Sequence, residues 1–365
     1  MSYKICLLTS RLNGGGAERS AGLLSMILHD LGHEIYIITL FDDIAYPYAG
    51  KLINLGKFKN CSGSVLNKLN RYKQLRNQIN QNRFDLILDF RLKESPLREF
   101  FLNKFVFNTN MVNMVRSFYL KWYFPYPKIL SKYLYHKYAG INTVSLKIKN
   151  EIESKFDFVN VSAIYSPIDI SYIEQMARNN SEIKEEFIIA VGRLEIIKQF
   201  DKLIKAYSKS ILPEKNIKLY LIGKGTQKSF LLKIITDLNL QDKVKIIPFL
   251  ENPFTYISQA KFLVLSSRNE GFPRVLLESL ACRTPVVSFD CESGPSEIIN
   301  HNRNGILVEN QNFYKLTRAM NEMLDKNFLY ESFEDNGLGS LVQFSMESIG
   351  KLWGEYIDSL PLKSK

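Results

Sequence analysis

One pattern constrains this chain more than any other: short apolar runs alternate with helical stretches, and the alternation occurs twice. In the later half, strand-like runs recur at residues 187–191, 218–222, 243–247, 261–267 and 285–288. Helical patterns fill 200–210, 227–238, 252–258 and 274–282 between them, and a strand at 305–308 and a helix at 313–324 close the series. Near-continuous apolar strands joined by helices form parallel sheets covered on both faces. The first half obeys the same rule. A strand at 4–10 leads through Gly14, Gly15 and Gly16 into a helix at 17–31, and Gly32-His33 turns the chain into a strand at 34–40. A basic amphipathic helix at 66–82 precedes a strand at 84–90. Further strands are expected at 105–107 or 111–115, at 140–144 and at 161–165.

Ser166-Pro167 interrupts the pattern, because the residue before proline is pushed out of the helical region. The polar stretch 178–186 reads as a linker. The expected fold is therefore α/β, with two tandem doubly wound Rossmann-like domains at 1–166 and 167–344. A terminal segment, 345–365, carries a helix whose apolar face suits packing back on the first domain. Such sheets bind ligands at the carboxyl ends of their strands, which predicts a cleft between the two domains.

The 365 residues carry a net charge of +11, and its distribution is uneven. Residues 1–165 hold 23 basic and 12 acidic side chains, a difference of +11, so the remainder is neutral. Within 51–150 the count is 19 against 4, or +15. A basic face attracts anionic membranes or nucleic acid. No nucleic-acid motif accompanies this one. The stretch 118–138 interleaves Tyr and Trp with four lysines and no acidic residue. It suits a bilayer headgroup layer, and equally a helix packed on its own sheet. Four cysteines (Cys6, Cys61, Cys282 and Cys291) without C-x-x-C spacing point to a reduced, cytoplasmic protein. No signal-peptide pattern opens the chain, and no apolar run reaches the ~20 residues of a membrane span.

The stretch most loaded with chemistry is EGFPRVLLE, residues 270–278. A carboxylate at a strand exit, an apolar loop and a second carboxylate among leucines are an unusual set to bury without a partner. Glu270 and Glu278 fit a ligand rich in hydrogen-bond donors, such as sugar hydroxyls. A helix-opening Glu with a solvated Glu on the outer face explains the nine residues as well.

Five strings in order remove most of that ambiguity: GGGAER at 14–19, AVGRLEIIKQFDKLIKAY at 190–207, LIGKG at 221–225, the run from 251 to 291 that contains EGFPRVLLE, and GPSEII at 294–299. Together they resemble the family 4 retaining glycosyltransferases of the GT-B architecture, the type found in bacterial surface-polysaccharide synthesis. The resemblance implies that Arg193 and Lys198 meet the donor diphosphate and offset charge as the glycosidic bond breaks. It also implies that the helix start, with Gly271, Phe272, Pro273, Arg274 and Val275, points its positive end at that diphosphate. Glu278 would accept from the ribose diol and Glu270 from the transferred sugar. The base would lie near Gly223, Phe249 and Leu250, with Gly15 and Gly16 facing the donor across the cleft.

No Asp-x-Asp string and no metal-ligand spacing occur, so catalysis without metal or cofactor is expected. Three positions depart from the family pattern: Arg283 and Gln199 stand where glycine is usual, and Ser166 where asparagine is. On the acceptor side, Asp89, Arg91 and Arg116 are candidates, although ordinary strand-end polar groups would look the same. The resulting expectation is a hexosyltransferase at the inner face of the cytoplasmic membrane, held there by its basic first domain and acting on a glycan or lipid-linked acceptor. A soluble small-molecule acceptor, or a non-catalytic nucleotide- or glycan-binding protein on the same scaffold, are the alternatives.

Overall fold

The computed structural model describes the chain except residues 59–64, 94, 126, 179–182, 326–336 and 363–365. It contains two compact units, residues 1–167 with 346–365, and residues 168–345.

The first unit is built from β1 (Lys4–Thr9), α1 (Gly16–Asp30), β2 (Glu34–Thr39), β3 (Lys51–Asn54), α2 (Val65–Asn82), β4 (Leu86–Asp89), α3 (Pro96–Phe105), β5 (Asn110–Val115), α4 (Lys128–Tyr135), β6 (Gly140–Thr143), α5 (Leu146–Phe156) and β7 (Val161–Ala163). All seven strands are parallel, in the order β3-β2-β1-β4-β5-β6-β7. Ile5, Cys6, Leu7 and Leu8 of β1 are wholly buried, as a strand with helices on both faces must be. Each such aliphatic side chain contributes roughly 1.5–3 kcal/mol relative to leaving it in water. The terminal helix (Met346–Ser359) packs on α1, and its Ile349, Trp353 and Ile357 join the core around Ile27 and Leu28.

The second unit comprises α6 (Ile170–Ala177), β8 (Phe187–Val191), α7 (Phe200–Ser208), β9 (Lys218–Ile222), α8 (Lys228–Asp237), β10 (Val244–Ile247), α9 (Phe254–Ile257), β11 (Leu263–Leu265), α10 (Arg274–Ala281), β12 (Val286–Asp290), α11 (Pro295–Ile298), β13 (Gly305–Glu309) and α12 (Phe313–Asp325). Its six parallel strands run β10-β9-β8-β11-β12-β13. The chain starts at β8, fills one side and then returns to fill the other, so the order reverses between β8 and β11. A crevice opens at that point because successive loops leave in opposite directions.

Several local expectations change. Residues 96–105 form a helix, α3, opened by Pro96 at its first turn and capped by the Ser95 hydroxyl, so no strand exists at 105–107. Short α6, capped by Asp169, and edge strand β3 are too brief to show a periodic pattern. The described part of the supposed linker, 178 and 183–186, lies inside the second unit. In the 118–138 stretch the rings divide. Tyr123, Phe124, Tyr135 and Tyr138 are core, Phe124 meeting Phe156 at 4.6 Å between centroids, whereas Tyr119, Trp122 and Tyr133 are exposed. Cys6, Cys282 and Cys291 are free and buried; Cys61 lies outside the described residues.

Candidate active site

Four loops at the carboxyl ends of β8, β9, β11 and β12 are tied together at the switch point of the second unit. The loop after β8 carries Arg193 to Lys198. Its Leu194 N donates to Lys224 O at 2.9 Å, and the Gln227 N returns a bond to Leu194 O at 2.9 Å. Two glycines make this contact possible. A side chain on Gly223 would sit 1.8 Å from Gly192 O, and one on Gly225 2.3 Å from Leu194 O. On the other side, Ser266 Oγ donates to Lys198 O at 2.8 Å, and Arg268 N donates to Ile197 O at 2.8 Å. Net hydrogen bonds of this kind are worth about 1 kcal/mol each; the first two hold the cation loop to the loop after β9, and the last two hold it to the loop that carries Glu270.

The Lys198 ammonium donates to Glu270 Oε1 at 2.6 Å, and both side chains keep a limited exposure, 16 % and 15 %. The Lys198 stem lies over Gly192, where an added Cβ would meet Lys198 Cε at 3.1 Å. Arg193 is exposed at the same strand end. Its charge, after two bonds from Thr226, helps hold the Glu195 carboxyl below its ordinary value. Behind the pair, burial and then the Glu270 charge push the Cys291 thiol up to about 12, so it stays a neutral wall.

α10 begins at Arg274, directly after Pro273. Its approach is fixed by the next loop: Ser293 Oγ donates to Gly271 O at 2.7 Å, and Gly294, at φ +98°, sits so close that a side chain would strike Pro273 Cδ at 2.4 Å. Glu278 is buried at 8 %, and its carboxylate lies 3.7 Å from Arg274 Nε one turn earlier. The solvated-face reading of Glu278 is thereby removed. Phe249 and Leu250, past β10, are half-buried, and the Lys224 ammonium stands 4.9 Å from the centre of the Phe249 ring.

The second unit therefore brings Arg193, Lys198, Glu270 and Gly271 to Pro273 onto loops bonded to one another, with Gly223 in the same stitched set and Arg274, Val275 and Glu278 on α10 directly after them. Gly15 and Gly16 open α1 in the first unit, after Gly14 at φ +85°. Sequence reasoning quoted Lys224, Ser266 and Gly294 within its strings but gave them no role, and it passed over Ser293. Only the Gly294-Pro295 pair carried a readable turn signal.

Both departures from glycine occupy left-handed backbone: Gln199 has φ 53° and Arg283 φ 59°. Arg283 ends α10 as a glycine would, with Thr284 N donating to Ser279 O at 2.9 Å. Ser166 is buried and its hydroxyl receives that of Ser20 at 3.0 Å.

The acceptor candidates need correction. Asp89 is fully buried and Arg91 only 4 % exposed, so neither offers an atom to an acceptor. Arg91 grips Asp89 through Nε at 2.9 Å and Nη2 at 2.8 Å, and Nη2 also reaches Glu99 Oε2 at 3.3 Å. Wholly buried Lys93 stands 3.3 Å from Asp89. Burial would raise the Asp89 carboxyl, but Arg91 and Lys93 override it and hold it below its ordinary value. Arg116 is half-buried, donates to Asn142 Oδ1 at 2.5 Å, and keeps its Nε without a hydrogen-bond partner among the described residues. Of the three it alone is partly exposed.

Two doubly wound parallel α/β units, one with cations and carboxylates gathered at its switch point, form an architecture whose ligands bind at the carboxyl ends of the strands. The family profile "Glycosyltransferase Family 4" matches residues 14–172 and "Glycosyl transferases group 1" matches 172–339. The chain belongs to this glycosyltransferase family. A Campylobacter jejuni relative is 28 % identical over 91 % of this chain and 93 % of its own length; it is N-acetylgalactosamine-N,N'-diacetylbacillosaminyl-diphospho-undecaprenol 4-alpha-N-acetylgalactosaminyltransferase. The amylovoran biosynthesis glycosyltransferase AmsD of Erwinia amylovora is 23 % identical over 98 % of this chain and all of its own length. Among solved structures, TarM superposes with a TM-score of 0.78 at 15 % identity, covering 98 % of this chain and 99 % of TarM. Anabaena HepE with UDP and glucose gives 0.77 at 17 %, covering 98 % and 100 %. At these identities the structural matches establish the GT-B fold.

Proposed function

We propose that this chain moves a sugar from a nucleotide-diphosphate donor to a hydroxyl of a lipid-linked glycan at the inner face of the cytoplasmic membrane, with retention of anomeric configuration and without a metal ion. One observation carries the reading: Lys198 is held at 2.6 Å by Glu270 on loops that also present Arg193 and the start of α10. A departing diphosphate gains negative charge, and preorganised cations and helix-start amides stabilise that charge where it develops. Arg193 and Lys198 supply the cations from one loop. Glu278, buried beside Arg274, accepts from the donor ribose, and Glu270 both positions Lys198 and accepts from the sugar.

In this step the bond from the anomeric carbon to the diphosphate oxygen breaks as the acceptor oxygen bonds to the same face. The acceptor proton passes to the leaving phosphate oxygen, and a nucleoside diphosphate departs. The relatives support the acceptor class, since one acts on a diphospho-undecaprenol glycan and another serves amylovoran synthesis. The +15 balance within 51–150 suits an anionic membrane surface.

The test is a panel of nucleotide sugars with a polyprenyl-diphosphate glycan acceptor, in chelator, with NMR of the product. One donor should give turnover that chelator leaves unchanged and a product with the donor's anomeric configuration. An inverted product sinks the stereochemical claim, and metal-dependent turnover sinks the other.

A further inference from the structure

Helix α3 wears its apolar stripe on the outside. Leu97, Phe100, Phe101 and Phe105 share one side with Lys104, as their three- and four-residue spacings require. That side meets solvent: Leu97 is 85 % exposed, Phe105 47 %, Phe100 37 % and Phe101 36 %. The inward side carries Leu102 and, unusually, Glu99, both fully buried. An amphipathic helix on a globular protein normally turns its apolar stripe to the core. Here Glu99 prevents it, bonded to Arg91 at 3.3 Å and to Arg98 at 3.0 Å. The balanced quartet Asp89, Arg91, Lys93 and Glu99 thus fixes the rotation of α3 about its own axis.

The neighbouring helix extends the surface. Ile129 and Tyr133 of α4 are 80 % and 60 % exposed, and the Tyr133 ring stacks 6.5 Å from that of Phe100. A groove of about 630 Å³ lies beside this contact, with Lys104 and Lys137 on its walls. Contiguous exposed apolar surface of this kind marks an interaction site.

Charge selects the partner. Within 51–150 the described acidic side chains are Asp85, Asp89 and Glu99. Asp85 accepts from Lys4 N at 2.7 Å, and the other two are sealed in the quartet. The exposed charge on α2, α3 and the segment after α4 is positive, from Lys73, Arg76, Lys104 and Lys137. Asp157 pairs with Lys128 and Lys132 and leaves that balance positive. A second copy would bring the same sign and be repelled. We propose that the outward stripe of α3, with Ile129 and Tyr133, is the docking surface for an anionic phospholipid bilayer, with Lys104 and Lys137 at the headgroup phosphates. The proposal deepens the lipid-linked acceptor reading and rests on it for its purpose, while the binding itself is measured separately.

The experiment is co-sedimentation of the full chain with phosphatidylcholine vesicles, with and without phosphatidylglycerol, at low and high salt. Wild type should bind the anionic vesicles and release with salt. Phe101→Ser/Phe105→Ser should weaken binding roughly a hundredfold, and Lys104→Ala/Lys137→Ala roughly tenfold with a smaller salt effect. Both variants should keep wild-type turnover on a water-soluble acceptor analogue, which also shows that they fold. Wild type that stays in the supernatant, or variants that sediment like wild type, overturn the proposal. So does ultracentrifugation showing a wild-type dimer that the phenylalanine variant splits, which would assign the face to a second copy. Failure of wild type to transfer to any acceptor would sink the transferase reading and leave the vesicle result standing.

Discussion

Two strand ends in this molecule carry nearly the same chemistry and do opposite work. At the end of β4, Asp89 and Arg91 join Lys93 and Glu99 in a set of two cations and two anions with at most 4 % exposure. At the end of β8, Lys198 pairs with Glu270 from the loop after β11, both remain accessible, and Arg193 stands exposed beside them. In the first place every charge is satisfied by its neighbours, so nothing remains for a ligand. In the second, the Lys198–Glu270 pair keeps some exposure and Arg193, which acts on the Glu195 carboxyl, is exposed, so an incoming anion can reach the cations. The contrast shows that residue type and strand-end position do not make a ligand site. Charges left where solvent can reach them do.

The largest effect that tests this contrast is on stability. Arg91→Ala leaves Asp89 and Glu99 buried without their shared cation and should destabilise the first unit by about 3–5 kcal/mol. Arg193→Ala removes an exposed charge and should change stability by no more than ~0.5 kcal/mol. Urea or thermal unfolding of the two variants would show it, and equal losses would erase the distinction. Activity should run the other way. Lys198→Ala should lower kcat/KM by a factor of ~100 or more, because the contact strengthens as charge grows on the leaving phosphate. Its melting temperature should stay near that of wild type; a loss of activity explained by unfolding would place Lys198 with the sealed set.

The smallest effect concerns a third ion cluster that sharpens the comparison. Glu185 receives Lys218, Lys245 and Tyr220 near the amino ends of β9 and β10, and those bonds hold its carboxyl at about 2 against an ordinary 4.5. A depressed folded value means that its stabilisation is complete above pH 4.5 and fades as pH falls toward 2. The group is about one-third exposed, so solvent screening keeps the contribution modest. Glu185→Gln should therefore flatten the acid limb of the stability–pH curve and leave transfer at neutral pH unchanged. An unaltered acid limb would show that the cluster is too well solvated to matter.

Much of the molecule was legible from residue order. The double alternation of apolar runs and helices specified two parallel sheets, since strands buried on both faces read as continuous apolar segments. Arg193, Lys198, Glu270 and Glu278 were singled out by strings that resemble a known family; the structure adds the Lys198–Glu270 pair and the burial of Glu278, and their roles belong to the proposed function. Gln199 and Arg283 were visible as replacements for glycine, and their left-handed backbone explains why glycine is usual there.

What the sequence alone determined, then, was the order of strands and helices and the identity of the charges placed after them. Tertiary structure decided which charges are spent on one another. Asp89 and Arg91 are two residues apart, but their closure depends on Glu99, delivered by a helix whose polar side faces inward. Lys198 and Glu270 are 72 residues apart and meet only because β8 and β11 lie side by side. Periodicity reports a helix's two faces; which one turns to water depends on the partner waiting underneath, and for α3 that partner is an arginine.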